Sequence, residues 1–174
     1  MAVGITEKTT PRSPVAVLGG KTIETVTAFF ACGYAGCFYV PLNPAHPECR
    51  LRQILKTLDH PLVLLGRGYE KLLTDECEEI YFAENAENTL FFDEADTSGN
   101  TAILDKIRRN HIDTDPLYVM FTSGSTGIPK GIAVSHRSVI DFIGEFVNLF
   151  GIDESDVIGN QAPFDFDVSV KDIY

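Results

Sequence analysis

Leu117-Tyr118-Val119-Met120-Phe121 runs without a break into Thr122-Ser123-Gly124-Ser125-Thr126-Gly127-Ile128-Pro129-Lys130, and Ile132-Ala133-Val134 follows. The first stretch reads as a buried strand, the Gly- and hydroxyl-rich stretch as a turn, and Ile132 to Val134 as a return to extended structure. Ser135 or Ser138 can then cap a helix in which Val139, Phe142, Ile143, Phe146, Val147 and Phe150 share one face, with Gly151 at its end. That stripe reads as core.

The same alternation extends upstream. Val15-Ala16-Val17-Leu18 is a short strand ending at Gly19-Gly20, and Ile23, Val26, Phe29 and Phe30 then fall at helical spacing, with Gly33 as a stop. Cys37 to Val40 reads as a second strand closed by Pro41. Pro47 opens a helix with Leu51, Ile54, Leu55 and Leu58 on one side, His60-Pro61 ends it, and Leu62 to Leu65 makes a third strand. From Glu70 to Asn100 the chain is acidic and less periodic, with Ile80-Tyr81-Phe82 as a candidate strand, Asp96 to Asn100 as a loop, and Glu76 to Glu79 as a solvated face. Asp115-Pro116 marks the next boundary. Alternating strands and helices predict an α/β layered fold with a largely parallel sheet and flanking helices, with ligands beyond the carboxyl ends of the strands. No internal repeat or low-complexity linker divides the chain.

The turn after Phe121 carries the chemistry. Gly124 and Gly127 admit backbone conformations that aim successive N–H groups at one point, and Thr122, Ser123, Ser125 and Thr126 add hydroxyl donors. Lys130 adds positive charge. Together these can cradle a polyphosphate. The spacing is not the P-loop pattern G-x-x-x-x-G-K followed by Ser or Thr, because Lys130 stands three residues after Gly127 and Gly131 follows it. A stretch of this composition is more often a solvated turn, and the residues alone leave both readings standing.

Thr122 to Gly131, set between a strand and an amphipathic helix, resembles the signature of the adenylate-forming (AMP-binding) superfamily, which includes acyl-CoA synthetases, luciferases and nonribosomal adenylation domains. Ala35-Gly36, Tyr39-Val40-Pro41-Leu42-Asn43-Pro44 and Pro47-Glu48-Cys49-Arg50 resemble its earlier core segments in order and spacing. The resemblance runs from about Pro14 to Tyr174 and is weakest between Glu70 and Asn110. It implies that a carboxylate attacks the α-phosphorus of ATP to give an acyl-adenylate and pyrophosphate, and that a thiol then takes the acyl group. Mg²⁺ would bridge the phosphates, Thr122, Ser123, Gly124, Ser125, Thr126, Gly127 and Lys130 would hold them, and Lys130 would act catalytically by meeting the charge of the departing pyrophosphate.

Phe164-Asp165-Phe166-Asp167-Val168-Ser169-Val170 resembles the FDxSV segment of amino-acid-activating members, in which the Asp binds the substrate's α-ammonium. That role falls on Asp167. A carboxylate on an apolar pocket wall is costly unless a cation offsets it, which an ammonium would do. Asp165 and Asp167 also precede a helix expected through Lys171, and either could cap it; the resemblance favours Asp167 as ammonium ligand and Asp165 as cap. Val168 and Lys171 would line the side-chain pocket. Lys171 departs from the apolar or aromatic residue more common there; it could pair with an acidic substrate group, although snorkelling to solvent is favoured. The stretch from Asn160 to Tyr174 also resembles D-alanine–carrier-protein ligases, which brings a small amino acid into view and makes a carrier's phosphopantetheine thiol the expected partner.

Composition narrows the rest. The 174 residues carry 14 Lys and Arg against 25 Asp and Glu, a net charge of −11, and 44% apolar residues. A generic nucleic-acid or anionic-membrane binder is disfavoured, so any anion must be held locally. No apolar run is long enough to span a membrane and the first twelve residues lack a signal peptide's apolar stretch, which gives a cytoplasmic expectation. Cys32, Cys37, Cys49 and Cys77 form no C-x-x-C pair and are expected as buried free thiols. His46, His60 and His111 make no metal pattern, and no metal ligands are assigned; at His136 capping or packing competes with catalysis. The family's opening segment, and everything after the FDxS motif, have no counterpart, so residues 1–174 are expected to be a partial adenylation domain that alone forms no aminoacyl-adenylate. Two rivals stay open: an acyl- or aryl-CoA ligase of the same superfamily, with Asp167 only a cap, and a non-catalytic nucleotide-binding fragment.

Overall fold

A computed structural model describes residues 1–69, 89–91, 101–122 and 129–174. The elements in order are α1 (Ala2–Lys8), β1 (Pro14–Leu18), α2 (Ile23–Tyr34), β2 (Phe38–Leu42), α3 (Glu48–Thr57), β3 (Leu62–Leu65), β4 (Thr89–Phe91), α4 (Ala102–Asn110), β5 (Pro116–Thr122), β6 (Lys130–Ser135) and α5 (His136–Phe150). A 3₁₀ turn (Asp167–Ser169) and α6 (Val170–Ile173) close the chain. The strands form a six-stranded sheet in the order β4-β3-β1-β2-β5-β6. All neighbours are parallel except β5 and β6, which pair antiparallel. The expected α/β layered architecture is what the chain adopts.

Alternation along the strands separates two apolar layers. Val15, Val17, Tyr39, Leu62 and Leu64 face the side covered by α2, while Ala16, Leu18, Val40, Val63 and Leu65 face α3. A register irregularity between Pro116 and Tyr118 lets Leu117 and Tyr118 both join the α2 layer. Phe29 of α2 stacks on Tyr39 with ring centroids 4.2 Å apart, and Tyr174 donates to the Tyr39 hydroxyl at 3.4 Å. Burial pushes the Tyr174 phenol up to about 12.

Several local expectations are corrected. β2 does not close at Pro41 but runs through it to Leu42, with Val17↔Pro41 and Leu18↔Leu42 in register. Pro41 lies past the short β2–β5 ladder at Tyr39↔Tyr118, where β2 has one unpaired flank and a missing N–H costs least. Gly33 does not stop α2; the left-handed residue is Gly36, at φ 72°. The α5 stripe is core only in part. Val139 is buried and Ile143 packs against the same cluster, but Phe142, Val147 and Phe150 are exposed. Phe142, Phe146 and Phe150 instead contact one another along the helix. The ends of α5 are as read: the Ser135 hydroxyl accepts from the Ser138 N–H, and Gly151 caps at φ 64°. Cys32 and Cys37 are buried, Cys49 is exposed, and Cys77 lies outside the described residues, as do Ile80 to Phe82, Glu76 to Glu79 and Asp96 to Asn100.

The turn before β5 is pinned by Asp115. Its carboxylate accepts from Arg12 Nε at 2.7 Å, Arg12 Nη2 at 3.0 Å and the Ile112 N–H at 3.1 Å. The Arg12 hydrogen bond holds this carboxyl below the usual carboxylate range. A depressed folded value means that the contribution is complete above the unfolded pKa of about 3.9 and is lost as pH falls through the folded value. Asp115→Asn is therefore expected to lower stability at pH 7 by about 1 to 2 kcal/mol, Arg12 being half exposed, with the deficit narrowing below about pH 4. Urea unfolding of both proteins at pH 7 and pH 3 reads this out.

Candidate functional site

The carboxyl end of β5, Ile132 and Val134 of β6, the turn into α3 and the segment Asp165 to Asp167 line a cavity of about 560 Å³. It opens beyond the strand ends, where an α/β sheet places its ligands. Tyr118, Met120 and Thr122 come from β5, His46 and Arg50 from the turn and first part of α3, and Asp165 and Asp167 from the distal segment. An adjoining hollow of about 200 Å³ shares Asp165 and reaches the Gly19-Gly20 turn after β1.

β5 and β6 are the two arms leading to the phosphate-loop sequence. Their last pair is Thr122↔Lys130, and the Thr122 hydroxyl donates to the Lys130 carbonyl at 3.5 Å. Ser123, Gly124, Ser125, Thr126 and Gly127 lie outside the described residues. Gly131 keeps the arms together, since a Cβ there would sit 2.8 Å from Val119 Cγ1. Thr122 and Lys130 are exposed, and no carboxylate among the described residues pairs with Lys130. A hydroxyl and an unpaired ammonium are a donor set that suits phosphate oxygens. Among the described residues no three His, Cys, Asp or Glu side chains converge to hold a metal.

Asp165 and Asp167 have opposite circumstances. Asp165 accepts from Asn43 Nδ2 at 3.1 Å and lies 3.4 Å from His46 Nε2, which clamps the distal segment onto the turn after β2. It does not cap the following helix; Phe166 occupies the cap position, with no side-chain cap bond. Asp167 begins the 3₁₀ turn, lines the cavity, and has no hydrogen-bonding or ion-pair partner among the described residues. Burial, and secondarily the Asp167 charge, raise the Tyr118 phenol above its ordinary value. On either side of Asp167 the segment is fixed: Phe164 packs edge-on against Phe29 at 5.5 Å, and the fully buried Ser169 donates to the Phe166 carbonyl at 2.7 Å.

Val168 and Lys171 are not brought to the cavity with Asp167. Val168 is half exposed, and Lys171 pairs with Asp172 and stands 6.0 Å from the Phe146 ring centroid. His136 packs edge-on against His111, and burial lowers its pKa. His46 and Tyr118 line the cavity and Asn43 the adjoining hollow, and the sequence reading had no role for them there. The signal available for Asn43 was its place in the Tyr39 to Pro44 run.

The whole chain, residues 1–174, matches the family described as AMP-binding enzyme. The chain belongs to that family. It is 33% identical over 164 residues to a component of the linear gramicidin synthase of Brevibacillus parabrevis, covering 94% of this chain and 3% of that protein. It is likewise 33% identical over 163 residues to the D-alanine–D-alanyl carrier protein ligase of Bacillus mycoides, covering 94% of this chain and 31% of the ligase. The AMP-binding chain thus spans under a third of these relatives. Among solved structures it is similar to the nonribosomal peptide synthetase FmoA3, with TM-score 0.76 and 25% identity over 99% of this chain and 17% of that one. A fatty acyl-adenylate ligase from L. pneumophila, in complex with acyl adenylate and pyrophosphate, shares the fold at TM-score 0.71 and 22% identity, over 99% of this chain and 31% of that one. No described helix of the AMP-binding chain is long and apolar enough to cross a membrane.

Proposed function

We propose that this AMP-binding chain contributes the phosphate loop and the ammonium-binding carboxylate of a ligase that activates an amino acid with ATP and passes it to a carrier-protein thiol. The observation that carries this reading is Asp167, a carboxylate with no partner among the described residues, fixed at the wall of the cavity beyond β5. An amino acid's ammonium would supply the missing counter-charge. The names of the relatives, a D-alanyl carrier protein ligase and a linear gramicidin synthase, support the amino-acid class.

Thr122 and Lys130 would receive the β- and γ-phosphates of ATP together with donors of Ser123 to Gly127. Lys130 would meet the charge that develops on departing pyrophosphate, which is electrostatic and positional work. Mg²⁺ carried with the triphosphate would neutralise part of its charge. Val168 and Lys171 are proposed as residues near the side-chain end of the substrate, Lys171 remaining on Asp172 unless an acidic substrate draws it away.

The test is exchange of pyrophosphate into ATP by the protein at its natural length, with amino acids, acetate and fatty acids supplied in turn. Exchange should depend on an amino acid and fall at least tenfold in Asp167→Ala, the worth of a lost charged hydrogen bond. Exchange driven by acetate or a fatty acid, and indifferent to Asp167→Ala, would instead identify an acyl ligase.

A further inference from the structure

We infer that Asn43 is a positioning residue for Asp167: by holding Asp165 it sets where the ammonium-binding carboxylate stands, and with that the preference for an amino acid over the same acid without its amino group. The preference half rests on the amino-acid reading; the positioning half does not. Asp167 has no hydrogen bond of its own among the described residues, and its chain neighbours Phe166 and Val168 are half exposed and pack little against it. Its place therefore depends on how the surrounding segment is attached. Within that segment the Phe166 N–H donates to the Pro163 carbonyl at 3.1 Å, and the Ser169 N–H and hydroxyl donate to the Phe166 carbonyl at 3.0 and 2.7 Å. These bonds shape the segment internally. Among the described residues, the polar contacts that leave Pro163 to Ser169 all start at Asp165, which accepts from Asn43 Nδ2 at 3.1 Å and faces His46 Nε2 at 3.4 Å.

Asn43 is itself held in place for this contact. It follows β2 at the carboxyl end of the sheet, where its Oδ1 accepts from the Ala45 N–H at 3.0 Å and its carbonyl accepts from the His46 N–H at 3.0 Å. The first bond decides which way the amide faces, since a backbone N–H can meet only the oxygen, and it leaves Nδ2 as the donor to Asp165. The chain beyond the turn is tied to the neighbouring strand, because Arg50 Nη2 in the first turn of α3 donates to the Phe121 carbonyl of β5 at 3.1 Å. The Asp165 side chain is only 12% exposed, so water competes little for its oxygens. A carboxylate in place of the Asn43 amide would set two anions about 3 Å apart, and their repulsion would push the segment and Asp167 off the turn.

The protein at its natural length is bound to alanyl sulfamoyl adenosine and to its propionyl counterpart, and hydrogen exchange of residues 163–170 is followed without ligand by mass spectrometry. The wild type should prefer the alanyl compound about tenfold. Asn43→Asp should remove that preference by weakening the alanyl compound alone, and should speed exchange in 163–170; a general structural fault would weaken both compounds. Combining Asn43→Asp with Asp165→Asn returns one donor and one acceptor to the contact, and should restore both the preference and the slow exchange. If Asn43→Asp does not fold, Asn43→Ser takes its place and should show the same two losses, because its hydroxyl still accepts from the Ala45 N–H but is too short to reach Asp165. If the wild type shows no preference and Asp167→Asn changes nothing, the amino-acid reading fails, and the exchange rates alone decide the positioning. Wild-type exchange in the Asn43 variants, equal weakening of both compounds, or a combined variant that restores neither quantity overturns the inference.

Discussion

Lys130→Ala is expected to weaken ATP binding about a hundredfold while leaving the melting temperature essentially unchanged. Lys130 heads β6, opposite Thr122, where the two arms of the loop meet. Its side chain is exposed and has no carboxylate partner among the described residues, so its removal disturbs no packing. A unit charge about 4 Å from a phosphate oxygen is worth about 4 kcal/mol at an effective dielectric of about 20, and exposure reduces this. About 2.7 kcal/mol, or a hundredfold, is what remains. The chain's net charge of −11 sharpens the effect, because an incoming polyanion meets repulsion everywhere except at such local cations. The wild-type affinity should also fall with added salt more steeply than that of the variant. Calorimetric titration with ATP at two ionic strengths measures both; equal affinities for the two proteins would remove Lys130 from the phosphate site.

Gly36→Ala should have the largest effect on stability, about 3 kcal/mol. Gly36 follows α2 at φ 72°, a conformation that costs an L residue about 1 to 2 kcal/mol. A Cβ there would also sit 2.6 Å from Ile107 Cγ2 of α4 and 3.3 Å from Pro11 Cβ, and relieving that overlap costs a further 1 to 3 kcal/mol by order of magnitude. The Gly36 carbonyl accepts from the Arg12 N–H at 2.7 Å, which limits how far the turn can shift. A domain is stable by only about 5 to 15 kcal/mol, so the loss is a large share. Chemical denaturation of Gly36→Ala, Ile107→Ala and the double variant separates the two causes. In the Ile107→Ala background the part due to Ile107 should vanish, while the backbone part and the Pro11 contact persist.

How much of this was legible follows from what each signal depends on. β1, α2, β2, α3, β3, β5, β6 and α5 announce themselves through periodicity and caps, which are local. β4 is missed because Thr89 to Phe91 is too short to show a period within an acidic stretch. α1 and α4 are missed for another reason: each is only about two turns long, too short for its apolar side to show a period. The stripe of α5 identifies its apolar side but not whether anything covers it, and exposed Phe142 and Phe150 show the difference. The continuation of β2 through Pro41 depended on its unpaired flank, a fact of sheet order.

At the site, Asp167 and Lys130 were singled out because motif residues sit beside one another in the chain, and the structure puts Asp167 on the cavity wall and Lys130 opposite Thr122. The clamp on Asp165 was not legible, since Asn43 lies 122 residues away in sequence, and the Arg50 to Phe121 bond spans 71. Such contacts are set by the order β1-β2-β5, which brings the turn after β2 alongside the end of β5. Asp165 as a cap was a local inference overridden by these long-range partners.

The most direct test uses two sulfamoyl adenosines that differ only in the α-amino group of the acyl chain, bound in parallel to the wild-type protein at its natural length and to its Asp167→Asn variant. The predicted result is a wild-type preference of about tenfold for the amino compound that disappears in Asp167→Asn. Equal affinity of the wild type for both compounds, or a preference that survives the substitution, would contradict the proposal that this AMP-binding chain serves amino-acid activation.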